Sequence, residues 1–283
     1  MTILVTGADG LLGSYLRRAA EGVRDTYLFT GRAELDITNR EAVCSYFEQH
    51  AVDVVLNCAA YTDVDRAESE EAAAYAVNAT AVGYLAEAAK QNNALIMHIS
   101  TDFVFMGGCC AQLTEQAQPR PINAYGRTKL AGEEILQASG CHHMIIRTAW
   151  LYGAYGRNFV KRIYNRVKNG EALRVVDDQI GSPTYAADLA AALVHIVQER
   201  RFVEGIYHYT NLGSCSRWEL AKAVSEEMQA PMRIQPCRSE EYPTPAQRPK
   251  NCVMDKWKFQ QTFGEDIPHW RESLKRCIDE LQA

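Results

Sequence analysis

A chain of 283 residues with 47% hydrophobic and 23% charged residues has the balance of an ordinary globular protein and is long enough for one large α/β domain with a smaller lobe. A formal charge of -5, with Arg32, Arg127, Arg147 and Arg248 scattered rather than clustered, gives no basic face and excludes nucleic acid as an expected partner. Nine cysteines without a Cys-x-x-Cys pair, no apolar run of about 18 residues and no room for a leader before Thr2 predict a cytoplasmic protein with no disulfide framework, no zinc site and no membrane span.

Taken in chain order, the predicted elements alternate. A β-rich run at 2–6 ends at Gly7, and a helical pattern follows from 11 to about 21. Strands are predicted at 27–30, 53–57, 94–100 and 143–148, with helices at 39–49, 70–92 and 124–138 between them. The largely apolar run at 53–57 has the composition of a parallel strand buried on both faces. Strand and helix in alternation describe a doubly wound parallel sheet of the Rossmann type, an α/β fold whose ligands sit beyond the carboxyl ends of the strands.

After Thr148 the pattern loosens into a loop through Gly153 and Gly156, a helix at 159–168 and an extended piece at 173–176. A helix at 186–199 and a strand at 205–209 look like a return to the sheet, and a helix at 218–228 opens a last lobe. The expected division is therefore a dinucleotide-binding domain at 1–153 and 184–213, and a smaller, discontinuous C-terminal substrate-binding lobe at 154–183 and 214–283. Pro243, Pro245 and Pro249 exclude regular helix or central strand from the loop that holds them.

Gly7-x-x-Gly10-x-x-Gly13 follows a strand and opens a helix, the context a pyrophosphate-binding turn requires. Glycine tolerates positive φ in the tight turn and lets backbone approach the ligand, while the helix N-terminus favours negative charge. The second strand ends Thr30-Gly31-Arg32, with an arginine where NAD-selective folds commonly carry an acid. That arginine suits a 2′-phosphate and points to NADPH, with NADH as the alternative cofactor.

Tyr125 and Lys129, four residues apart on one helix face, can reach the same ligand. A neighbouring ammonium is expected to lower the pKa of the phenol and make it a proton relay near neutral pH. Thr101, at the end of the fourth strand, supplies a hydroxyl for the carbonyl oxygen that the tyrosine protonates, and Ser100 beside it points to the opposite face. No metal site is expected: His142 and His143 are adjacent, His98 sits inside an apolar strand, and Cys109-Cys110 has no partner motif.

These segments resemble the extended short-chain dehydrogenase/reductases, and within them the dTDP-4-dehydrorhamnose reductase family. The resemblance covers nearly the whole chain. It is carried by the turn at 5–13, by the segments at 57–68, 99–105 and 123–133, and by Asp178-Gln179-Ile180-Gly181-Ser182-Pro183-Thr184 with Arg248-Pro249-Lys250-Asn251. It implies reduction of the 4-keto group of dTDP-6-deoxy-L-lyxo-4-hexulose to dTDP-L-rhamnose with a nicotinamide hydride donor. In the matching positions Thr101, Tyr125 and Lys129 carry the chemistry. Gly10, Leu11 and Leu12, then Asp36 and Ile37, then Ala59, Ala60 and Tyr61 contact the cofactor, and Asp102 and Trp150 lie on the substrate side.

Some relatives form dimers through a metal held on glutamates, one just after the third turn glycine. This chain has Ser14 and Tyr15 there, so the expectation is a monomer or a homodimer without that bridge. Cys58 and the loop Met106-Gly107-Gly108-Cys109-Cys110 also depart from the family pattern, and the loop is expected near the substrate mouth. Two other readings use the same motifs: a nucleotide-sugar epimerase or dehydratase with a retained cofactor, and a non-catalytic regulatory subunit of this fold.

Overall fold

The computed structural model describes residues 1–108, 111–231 and 233–283. Five strands and their helices fill the first half: β1 Thr2–Thr6, α1 Leu11–Ala19, β2 Thr26–Thr30, α2 Arg40–Gln49, β3 Val54–Asn57, α3 Glu71–Tyr75, α4 Ala81–Gln91, β4 Leu95–Thr101, α5 Ala124–Ala138 and β5 His143–Thr148. The second half holds β6 Leu151–Tyr152, α6 Phe159–Lys168, β7 Leu173–Val176, β8 Ile180–Gly181, β9 Thr184–Tyr185, α7 Ala186–Gln198, β10 Gly205–His208, β11 Cys215–Ser216, α8 Arg217–Glu227, β12 Ile234–Cys237, α9 Trp257–Phe263 and α10 Trp270–Gln282.

The central sheet has the order β10-β5-β4-β3-β1-β2, and its strand pairs are all parallel. Alternation along each strand divides the core between the two faces. Ile3, Val5, Val54, Leu56, Met97, Met144 and Ile146 join one apolar cluster, and Leu4, Val55, Ile96 and Ile145 join the other. The first cluster continues without a break into α6, α7, α8 and α10. The outer elements therefore share a core with the sheet, and the two-stranded ribbons β8–β11, β7–β12 and β6–β9 rest on that common base.

One predicted helix is not continuous. The stretch expected as a single helix at 70–92 breaks into α3 and α4 around a π-helical turn, Ala76–Thr80. The cause is Asn78, which is buried and turned inward. Its Oδ1 accepts from the Tyr61 amide at 2.8 Å, and its Nδ2 donates to the Tyr61 carbonyl at 3.1 Å and to Thr128 Oγ1 at 3.0 Å. Satisfying that loop backbone widens the helix locally, a use typical of π turns near functional sites.

Helix α10 has a readable amphipathic pattern that the sequence reading leaves unassigned: Trp270, Leu274, Cys277 and Ile278 are buried on one stripe. Its Glu280 accepts from the hydroxyls of Tyr15 at 2.5 Å and Tyr185 at 2.6 Å, and pairs with Arg18 at 2.7 Å. The C-terminal helix is thereby fastened to α1, the helix that opens at the glycine turn. Among the described residues, no helix is long and apolar enough to cross a membrane.

Candidate active site

The sheet order places β1 and β3 side by side, and the connections from them leave in opposite directions, so the crevice beyond their carboxyl ends is the topological switch point. Gly7 turns there with φ 66°, and a Cβ on it would come within 2.7 Å of the Ala59 backbone across the crevice. Helix α1 starts at Leu11 with Gly10 as its N-cap. No side chain caps it and no acid lies in its first turn. The leading amides of α1 are thus free for an anion, and the residues fit a dinucleotide pyrophosphate. A Cβ on Gly13 would meet Ala8 Cα at 2.5 Å, so Gly13→Ala is expected to push α1 off the turn. NADPH affinity should fall by at least about tenfold and stability by about 1–3 kcal/mol, read by fluorescence titration and thermal melting.

Arg32 is extended into solvent, its side chain 88% exposed, and it makes a 3.6 Å contact with Asp36. Asp36 is itself held, accepting from the Thr38 amide at 3.0 Å and its hydroxyl at 2.6 Å, and Ile37 packs its side chain into the core under α2. The carboxylates of Asp9 and Glu34 gather at Gly31, where Glu34 accepts the Gly31 amide at 2.8 Å. Ala59 and Ala60 line the crevice half-buried, and Tyr61 shares a small apolar cluster with Tyr125.

Helix α5 carries the reactive phenol. Asn123 caps it by accepting from the Gly126 amide at 2.8 Å, while its own amide group donates to the Gln247 carbonyl at 2.8 Å. The Tyr125 hydroxyl shares a hydrogen bond with Thr101, whose hydroxyl also accepts from the Phe103 amide at 3.2 Å and donates to Asp102 Oδ1 at 3.2 Å. Ser100, by contrast, points to Glu133, donating at 2.5 Å. Thr101, Asp102 and Tyr125 therefore converge, and Ser100 belongs to the core.

Burial pushes the Tyr125 phenol up to about 12, with the Thr101 hydrogen bond acting the other way. The lowering expected from the lysine is not produced by the protein alone, because Lys129 is turned toward β4. Its ammonium donates to the Ile99 carbonyl at 2.8 Å and lies 3.3 Å from His98 Nε2. A phenol raised this far is fully protonated at neutral pH, the form a proton donor needs.

His98, read from sequence as a core residue, is a link between the two halves of the site. Its Nδ1 lies 3.0 Å from Asn57 Nδ2, and Asn57 Oδ1 accepts from Thr6 Oγ1 at 2.7 Å. The hydrogen bonds run from the strand below the glycine turn to Lys129. With the Asn57 amide nitrogen facing it, Nδ1 is an acceptor and the neutral imidazole carries its proton on Nε2, toward Lys129; an ammonium there favours the other tautomer with a turned Asn57 amide, so the charge of the lysine and the histidine tautomer are coupled. An apolar strand with one histidine directly before the Ser-Thr-Asp segment was the signal available.

Burial draws Lys129 down to about 8, opposed by the charge of Glu133 and by Cys58. Below that pH it is an ammonium with donors to spare, and above it a neutral amine. Turnover is expected to decline as pH rises through about 8 and to carry no contribution from His98, since burial holds that imidazole neutral well below its usual pKa. A pH profile of kcat/KM checks this, and Lys129→Met should remove the alkaline limb along with most of the rate.

Beyond Thr101 a pocket is lined by Asp102, Phe103, Trp150, Gln179, Arg217 and Arg248. Trp150 and Asp102, expected on the substrate side, both face it. Arg217 was not anticipated by the sequence reading. Burial pushes the Asp102 carboxyl up to about 7, with the charge of Arg217 opposing that rise. Met106 is exposed, a Cβ on Gly107 would meet Pro249 and Cys252 of the pocket wall, and the expected loop continues into Cys109 and Cys110, which lie outside the described residues.

Glycine turn, strand-end threonine and Tyr-x-x-x-Lys helix, assembled on a doubly wound sheet, define a short-chain dehydrogenase/reductase. The whole chain, residues 1–283, matches the family described as the RmlD substrate binding domain, and it belongs to that family. It is 39% identical over 284 residues to the dTDP-4-dehydrorhamnose reductase of Aggregatibacter actinomycetemcomitans, covering 96% of this chain and 97% of that one. The structure of a dTDP-4-dehydrorhamnose reductase from Clostridium acetobutylicum superposes with a TM-score of 0.96 at 40% identity, covering 100% of both chains. That of the Bacillus anthracis dTDP-4-dehydrorhamnose reductase, solved in complex with NADP, gives 0.94 at 36% identity over 99% of both chains.

Proposed function

We propose that this chain reduces the 4-keto group of dTDP-6-deoxy-L-lyxo-4-hexulose (dTDP-4-dehydrorhamnose) to the alcohol of dTDP-L-rhamnose, consuming one NADPH and one proton. The observation that carries this reading is the convergence of Thr101 and Tyr125 beside Asp102 and Phe103, which line a pocket. Full-length similarity to reductases of this name supports the substrate class.

A nicotinamide bound in the crevice would supply the hydride. Gly7, Gly10, Leu11, Leu12 and Gly13 hold the pyrophosphate on backbone amides, Ala59, Ala60 and Tyr61 form the opposite wall, and Asp36 and Ile37 border the adenine. Arg32 pairs with the 2′-phosphate and favours NADPH, while the carboxylates of Asp9 and Glu34 beside Gly31 give ribose hydroxyls an acceptor, so NADH serves less efficiently. The Tyr125 hydroxyl donates its proton to the oxygen on which negative charge develops, and the Thr101 hydroxyl, turning from Asp102, hydrogen-bonds the same oxygen, lowering the barrier where charge appears. Lys129, anchored on Ile99 and His98, holds its positive charge on the ribose side of the crevice.

Residues 154–183 and 214–283 make the substrate lobe in this reading, with Asp102 and Trp150 facing the sugar. Cys44, Cys58, Cys141, Cys215, Cys237, Cys252 and Cys277 are free thiols, which suits the cytoplasm. The test is an assay with the dTDP-4-keto sugar and either NADPH or NADH, following cofactor oxidation and identifying the product by NMR. A higher kcat/KM with NADPH and a product bearing a new 4-hydroxyl are expected. Tightly retained NAD with no net oxidation would instead establish the epimerase or dehydratase reading.

A further inference from the structure

Arg217 opens helix α8 at the wall of the substrate pocket, and its setting is constructed from three separate segments. Its guanidinium carbon lies 3.6 Å from the centroid of the Trp150 ring, with Phe159 5.2 Å away. Trp150 is held in left-handed backbone at φ 48°, an uncommon and costly conformation for a bulky residue. Its ring fills the space that a Cβ on Gly181 would need, 2.7 Å away. Strain at Trp150 and the bare backbone of Gly181 thus combine to set an indole shelf under one cation.

That cation is uncommitted. Among the described residues no carboxylate lies within ion-pair distance of Arg217 and no hydrogen bond engages its guanidinium, whereas Arg248 on the same pocket wall is bound to both Asp65 oxygens, at 2.5 and 2.7 Å. The charges that face Arg217 are Asp102 across the pocket and the cations Arg248 and Arg162. Stacking occupies the flat face of a guanidinium and leaves its N–H edge for an in-plane ligand, a fork matched to phosphate oxygens.

We propose that Arg217, shelved on Trp150, is the anion clamp for the diphosphate of the nucleotide-sugar substrate, an inference that rests on the nucleotide-sugar reading of this pocket. With the keto carbon at Tyr125 and Thr101, the diphosphate hangs from the far side of the sugar ring. Asp102 adjoins Thr101 and repels a diphosphate whenever it is ionised, which a cation between them offsets. Arg217 is the partnerless cation in that position.

Titration calorimetry of NADPH-saturated enzyme with dTDP and with thymidine, in wild type, Arg217→Met and Arg217→Lys, tests the proposal. Loss of a charged hydrogen-bonding pair should weaken dTDP by about ten- to a hundredfold in Arg217→Met, with an intermediate loss in Arg217→Lys. Thymidine and NADPH affinities should stay at wild-type values, and KM for the keto sugar should rise with far less change in kcat. A folded Arg217→Met that binds dTDP as tightly as wild type overturns the clamp. If that variant does not fold, Gly181→Ala, which displaces the shelf and keeps the charge, must also weaken dTDP, and unchanged binding overturns it. Wild type that binds dTDP through Arg217 but leaves the keto sugar unreduced upholds the clamp and refutes the proposed reaction, whereas wild type with no affinity for dTDP refutes both.

Discussion

Tyr125→Phe is expected to lower kcat by about two to four orders of magnitude, the range that general acid catalysis supplies, with NADPH affinity and melting temperature close to wild type. The phenol packs beside Tyr61 on a small alanine cluster, and phenylalanine keeps that contact while deleting only the hydroxyl. The surviving rate should come from positioning and from the Thr101 hydroxyl, so Thr101→Val in the same background should lower it further. Single-turnover rates at saturating substrate separate the loss of proton transfer from any loss of binding. Turnover unchanged in Tyr125→Phe would remove the assigned donor.

Arg147→Met is expected to be the most destabilising single change near the site, by about 3–5 kcal/mol in urea denaturation. Arg147 and Glu133 are both essentially inaccessible to solvent and joined by two-point contact at 2.9 and 2.5 Å, with the Ser100 hydroxyl on the same carboxylate and the guanidinium 5.0 Å from the Phe105 ring. Removing the arginine strands a buried carboxylate. Removing both, in Arg147→Met with Glu133→Leu, should recover much of the loss, because the desolvation of two charges is then avoided as well. The double variant should still be impaired in catalysis at alkaline pH. Without the charge of Glu133, Lys129 loses its proton at a lower pH, and the alkaline limb should move down accordingly.

Where the fold follows local rules, the sequence was sufficient. Helix α5 begins at Ala124, directly after the Asn123 cap, and continues to Ala138 because nothing local interrupts it, and β5 and α6 likewise match their end residues. The glycine turn was legible because φ at Gly7 and the close packing of Gly13 are properties of single residues. Failures came where a distant partner decides the outcome. Asn78 splits the helix at 70–92 by hydrogen bonding to Tyr61 and Thr128, 17 and 50 residues away. His98 read as core until Lys129 and Asn57 were brought to either side of it, and Arg217 had no meaning until Trp150 was placed beneath it. Spacing along one helix put Tyr125 and Lys129 on the same face, but could not show that the lysine turns to the Ile99 carbonyl.

The account stands on hydride and proton meeting at one carbonyl between the crevice and the pocket. Its most direct test is a single turnover of the dTDP-4-keto sugar with NADPH deuterated at the transferable position of the nicotinamide, with the product examined by mass spectrometry and NMR. One deuterium at C4 of the sugar for each NADPH oxidised is predicted. Product without deuterium, or label returned to the cofactor with no net oxidation, would contradict it.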